Sequence, residues 1–227
     1  MPFERKSRKV QLPQGLFIWL VLLLIALAIA RSAVATQLDS FTLDEPYHIA
    51  AGVSYVKYRD FGINPEHPPL VKLWVGAAIA ATGFHLDALR QFNDKRDERS
   101  FATEATLRRN DPDSVQRRAR VAMYGFNGLM LLALAFALRQ VFGEAVALGA
   151  LLFLAIDATV AGHLPVVMTD LPLALCSATA VALAARAFQT WNWPHLGAGA
   201  GVLGLTMAAK HSARLCLSAW QHQNQVA

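Results

Sequence analysis

Cysteine is scarce in this chain, and so is charge. Two cysteines, Cys176 and Cys216, stand among 227 residues. Neither has a partner at metal-ligand spacing, so the chain reads neither as a disulfide scaffold nor as a cysteine zinc site. Charged residues make up 16%, against about 25% in soluble domains. That scarcity removes disorder as a reading. There is no dense H-E-x-x-H pattern of the kind metalloproteases use. The net charge of +5 comes from basic blocks beside apolar runs, with no basic stripe interleaved with aromatics, so no nucleic-acid partner is implied.

What the chain has instead is apolar residue in clumps: 55% hydrophobic overall and a mean hydropathy of +0.33. A helix needs roughly 20 mostly apolar residues to cross the hydrocarbon core. Residues 15–35, 119–138, 144–162 and 171–188 meet or approach that requirement, and 196–209 is a weaker, glycine-rich fifth run. The first run follows Arg5, Lys6, Arg8 and Lys9. With Ala33-Val34-Ala35 it also fits a cleaved secretory signal, but its length and the later spans favour an anchor. The expectation is an all-α polytopic membrane protein with about five transmembrane helices. Residues 1–14 form a cytoplasmic basic N-terminus, 15–213 the transmembrane region and 214–227 a polar tail. The chain is read as an integral protein of the bacterial inner membrane, N-terminus in the cytoplasm. Residues 36–118 then form a long outer first loop, which escapes the positive-inside rule by its length.

This alternation sends Asp44, Glu45, His67, Asp170, Lys210 and His211 to the same outer side. Within the loop, Thr42-x-x-Glu45 fits a capping box opening a helix to about Arg59, which sets Asp44 and His48 one turn apart. Asn64-Pro65-Glu66-His67-Pro68-Pro69 is a stiff extended segment. Leu70 to Phe84 reads as a helix in the outer interface, with Lys72 and Trp74 at headgroup level. Residues 87–118 read as a charged, solvated excursion.

Each polar residue has two readings. Asp44 and Glu45 suit a general base with a neighbouring carboxylate, or simply cap a helix. Glu66 and His67 could meet a phosphate, a sugar hydroxyl or a metal, or face water in a rigid turn. Asp44, His48, Glu66 and His67 could together hold a divalent metal. Asp170 fits a helix N-terminus, and Lys210 fits either a phosphate contact or snorkelling. Gly197-x-x-x-Gly201 and the nearby glycines fit helix packing.

In order along the chain, Asp44-Glu45, Asn64-Pro65-Glu66-His67-Pro68-Pro69-Leu70-x-Lys72, Gly162-His163…Thr169-Asp170-Leu171-Pro172 and Lys210-His211-Ser212 resemble the phospholipid-carrier-dependent glycosyltransferases of the GT-C superfamily. That group includes the dolichyl-phosphate-mannose–protein mannosyltransferases and the aminoarabinose transferases of lipid A. The likeness runs from about residue 12 to 213. It implies transfer of a sugar from a polyprenyl-phosphate donor to an extracytoplasmic protein, lipid or glycan acceptor. It implies Asp44 as the base, Glu45 as its support, Glu66, His67 and Asp170 as substrate-binding, and Lys210 at the lipid-linked phosphate. Family members are usually much longer, so the likeness also implies the front portion of such an enzyme. A non-catalytic membrane protein and a membrane metallohydrolase using Asp44, His48 and His67 are the rival expectations.

Overall fold

The computed structural model describes residues 12–210. The basic cluster at 5–9, His211, Ser212, Cys216 and the 214–227 tail lie outside the described residues. Within them the chain is helical, without strands: α1 (Gln14–Ala35), α2 (Glu45–Tyr58), α3 (Leu70–Ala80), α4 (Lys95–Leu107), α5 (Pro112–Phe142), α6 (Glu144–Ile156), α7 (Ala158–His163), α8 (Asp170–Thr190) and α9 (Trp193–Ala209).

Three helices, α1, α5 and α8, are long and apolar enough to cross a membrane. At about 1.5 Å per residue, the 21 residues of α8 reach the roughly 30 Å of a hydrocarbon core. The 31 residues of α5 overshoot it, and its first turns pack through Val115 and Ala119 against the first loop. On α1 only Phe17, Val21, Ile25, Ala28 and Ser32 are buried, a seam of four- and three-residue steps. Leu16, Trp19, Leu22, Leu23, Leu27 and Val34 stay exposed. A helix apolar all round but buried along one seam is what a lipid neighbour on the other faces requires.

The expected third run is not one helix. It breaks at Asp157, whose Oδ1 accepts the Val160 N–H at 2.8 Å and starts α7. The 13-residue α6 alone covers about 20 Å. The fifth run is the 17-residue α9. Of its glycines, Gly199 packs on Leu183 and Ala184 of α8, while Gly197 and Gly201 face open space.

Two cores form. One joins Phe17, Val21 and Ile25 of α1 to Leu131, Leu134 and Ala135 of α5, with Ala147 and Leu151 of α6 and Leu175 of α8. The other lies inside the first loop, among Ile49, Val53, Ile63, Val71, Val75, Ile79, Ala102, Ala105, Val115 and Met123. Two expectations change here. The 87–118 stretch is not a solvated excursion: α4 lays Glu98, Ala102, Ala105 and Thr106 onto the α2 side of the cap. Its buried face is made of small residues, so its composition reads as surface. Lys72 does not reach the surface of the molecule either; it is fully buried. Trp74 stays part-exposed, its Nε1 donating to the Ala122 carbonyl of α5 at 2.8 Å.

The helices α2 and α3 cross in backbone contact at Gly52 and Gly76, where an added Cβ would overlap the Lys72 carbonyl or the Gly52 backbone. Gly52→Ala is therefore expected to cost about 3 kcal/mol or more, at the severe end of overpacking. Gly149→Ala, in open space on α6, should be neutral or stabilise by about 0.5–1 kcal/mol. Thermal midpoints of the two variants in one detergent check the contrast.

Candidate functional site

One buried carboxylate ties the first-loop cap to the loop before α8. Glu45 is 1% exposed. Its Oε2 accepts the Thr42 N–H at 2.7 Å and its Oε1 accepts the Val167 N–H at 3.1 Å. The first bond is half of the expected capping box. The other half is missing because α2 starts only at Glu45, with Pro46 behind it and no side-chain cap. The second bond reaches the loop before α8. That loop is held again where the Asn127 side chain donates to the Leu164 carbonyl at 2.8 Å. Just upstream, Ser32 Oγ donates to the Ala161 carbonyl. With both oxygens engaged by backbone, Glu45 can act on chemistry only by positioning its neighbour.

That neighbour, Asp44, is free to act. Its side chain is 40% exposed and its Oδ1 lies 3.5 Å from Arg99 Nη2 of α4. Its carbonyl receives the His48 N–H at 3.0 Å.

The proline-braced segment is wrapped around a buried ammonium. Lys72 Nζ donates to the Asn64 carbonyl at 2.6 Å, the His67 carbonyl at 2.6 Å and Tyr55 Oη at 2.8 Å. Three protons meet three acceptors. Burial pulls Lys72 down to about 8, which still leaves it mostly charged at neutral pH. Asn64 is left-handed (φ 55), a conformation asparagine tolerates better than most residues. From the far side Glu98 accepts Tyr47 Oη at 2.6 Å, the Asn64 N–H at 2.5 Å and Lys95 Nζ at 2.8 Å. Lys95 also holds Glu66 at 2.6 Å. Burial would raise the Glu66 and Glu98 carboxyls, but Lys95 and, for Glu98, the Asn64 N–H hold both below the usual range.

The segment so held presents His67 to His48, ring centroids 5.5 Å apart and edge to face. The Asn64 amide meets His48 Nδ1 at 3.2 Å. His48 is pushed down to about 3 by burial, with His67 and Lys72 adding to the effect. His67 is also lowered, burial again leading. Asp170 opens α8 and is bonded to Lys210 at the end of α9. The Asp170 charge is felt at His48, and those of Asp44 and Lys210 at His67. So Asp44, His48, His67, Asp170 and Lys210 share one electrostatic neighbourhood. Glu66 is drawn aside, to Lys95 and α4.

Lys72, Glu98, Lys95, Tyr47 and Tyr55 had not been singled out as site residues. The signal for α4 was present in Asp94-x-x-Asp97, where Asp94 caps the helix by accepting the Asp97 N–H. As for a metal, no group of three His, Cys, Asp or Glu side chains converges among the described residues. Compared with family models, with curated proteins and with solved structures, the chain matches none.

Two outcomes follow from this geometry. Lys72→Met leaves the His67 carbonyl without its donor and the Asn64 carbonyl with only the longer Tyr55 hydroxyl and His67 N–H contacts, at 3.2 and 3.4 Å. At about 1–3 kcal/mol for each buried unsatisfied group, the thermal midpoint in detergent should drop sharply, more than for Lys57→Met at the rim. The second concerns acid. A histidine neutral in the fold but protonated when unfolded contributes stability that is lost as pH falls below about 6.5, at about 1.4 kcal/mol per pH unit. Between pH 6.5 and 5, above the range in which Glu66 and Glu98 take up protons, the His48→Gln variant should show a flatter midpoint-against-pH slope than the parent.

Proposed function

We propose that this chain transfers a glycosyl group from a polyprenyl-phosphate donor to an acceptor hydroxyl at the outer face of the membrane, as a member of the GT-C type of glycosyltransferase. In this reading α6 with α7, and α9, complete five crossings alongside α1, α5 and α8, and the N-terminus is cytoplasmic. The observation that carries it is the Glu45–Val167 bond, which ties the start of α2, with Asp44, to the loop leading into Asp170 and its partner Lys210 more than a hundred residues later. A half-exposed carboxylate beside a cation-bearing helix end, at membrane-surface level, suits a donor whose phosphate is anchored in lipid.

In the reaction, Asp44 takes the acceptor proton as the acceptor oxygen bonds to the anomeric carbon. The bond from that carbon to the phosphate oxygen breaks, and its electron pair leaves with the phosphate. Lys210 neutralises the developing charge, as preorganised cations do at a leaving group. Attack opposite the leaving group inverts the anomeric carbon. Glu45 fixes Asp44 through the α2 start, and His67 lines the donor or acceptor side. The donor lipid and an extracytoplasmic protein, lipid or glycan acceptor are the partners; no nucleotide sugar is needed.

A second reading has one observation in its favour. Asp170 and Lys210 neutralise each other, as they would in a non-catalytic membrane protein whose polar groups only tie helices together. Transfer from a panel of polyprenyl-phosphate pentoses and hexoses, assayed in membranes holding the chain, separates the two. Asp44→Asn should lower transfer by about 10²–10⁴-fold, the usual weight of a general base, with insertion unchanged. An undiminished rate in that variant, or no donor-dependent transfer by the parent, overturns the proposal.

A further inference from the structure

The outward face of α4 carries its own groove, of about 650 Å³. Arg96, Arg99, Ser100 and Thr103 recur at three- and four-residue steps and line it, with Arg108 at the helix end and Glu66 on the rim. The charge is not balanced within it. Glu66 is held by Lys95, and Glu104 by Arg109 at 3.3 Å. Arg99 is engaged by Asp44. Arg96 and Arg108 have no carboxylate within ion-pair distance among the described residues, and the Ser100 and Thr103 hydroxyls have no side-chain hydrogen bond there. Two guanidiniums and two hydroxyls thus line one concave surface.

We infer that this groove is a binding site for a phosphate-bearing ligand, separate from the Asp170–Lys210 pair. The guanidinium's planar fork matches phosphate oxygens two at a time, and the hydroxyls supply further donors. A zwitterionic ligand or a plain carboxylate would leave part of that donor set unused. The groove belongs to the outer cap, whose α3 and α5 reach the apolar layer. Both a lipid headgroup and a free phosphate of the outer compartment can therefore reach it. The inference does not depend on glycosyl transfer.

The full chain in neutral detergent micelles is titrated calorimetrically with inorganic phosphate, with a short-chain phosphatidate, and with a short-chain phosphatidylcholine of the same chains. Saturable binding of a phosphate compound, with phosphatidylcholine weaker, is expected. In Arg96→Gln/Arg108→Gln the affinity should fall at least about tenfold, one lost charge-assisted contact being worth about that much. Arg96→Lys/Arg108→Lys should fall between the two, because an ammonium lacks the fork. Lys57→Gln, a cation of α2 outside the groove, should bind as the parent does. Neither arginine makes an ion pair, so the helical circular dichroism of the variants should not change. Binding of phosphatidate alone assigns the ligand to lipid, and equal binding of inorganic phosphate assigns it to solution. No saturable binding of either phosphate compound, or unaltered affinity in the double glutamine variant, overturns the site.

Discussion

Placing an ammonium in a protein interior costs several kcal/mol unless its protons find acceptors, and the cap formed by the first loop is arranged around one. Lys72 comes from α3, its acceptors from α2 and from the 64–67 segment. Residues 64–69 hold three prolines and few backbone donors, so beyond the single turn bond from the His67 N–H to the Asn64 carbonyl they form neither helix nor hairpin. They close on Lys72 instead. The backbone contact of Gly52 with Gly76 brings α3 close enough to α2 for Lys72 to reach Tyr55. Without that approach the ammonium would lack an acceptor, and the His67 ring would not be held against His48.

The second constraint is the carboxylate of Glu45. It joins two parts of the chain 122 residues apart, and it does so at the level where the cap meets the bundle. Asp44 precedes it and Asp170 follows its partner loop, so the separation of the two aspartates is set by a short path through one buried side chain. Long polar side chains at a lipid surface would sample many positions. A buried carboxylate between two N–H donors samples few, because releasing either leaves an unpaired group.

The spans were legible because a bilayer demands a run of apolar residues that little else in a protein demands. The break at Asp157 was not, since one acidic residue in such a run can either face a partner or cap a new helix, and only the tertiary contact decides. The stiffness of residues 64–69 was legible from proline. What the segment grips was hidden, because a lysine inside an apolar stretch near a membrane reads as a snorkelling residue. The cap helix α4 was obscured for another reason: it buries alanines and a glutamate rather than large apolar side chains, so burial left no hydrophobic stripe. Of the site, the aspartates and His67 could be named from sequence. The groups that hold the His67 segment, Lys72, Glu98 and Lys95, could not, because each is recognisable only by its acceptors and donors.

Charge in the outer loop follows the same logic. Residues 36–118 contain eleven Lys and Arg against twelve Asp and Glu, three quarters of the acids in the chain. The rest of the chain keeps ten Lys and Arg with four acids. Many loop cations are bound inside the cap: Lys72 by carbonyls, Lys95 by Glu66 and Glu98, Arg90 by Asp97, Arg99 by Asp44. An exposed pair of this kind is worth little by itself, but Glu98 and Lys72 are buried and their bonds cannot be exchanged for water without opening the cap. The acids in the loop are therefore the counterpart of its cations rather than a set of independent catalytic candidates. Asp44 is loosely paired and open, with Arg99 at 3.5 Å, as Asp87 and Glu104 are with Arg109; what separates it from them is its place next to the buried Glu45 that reaches the loop before α8.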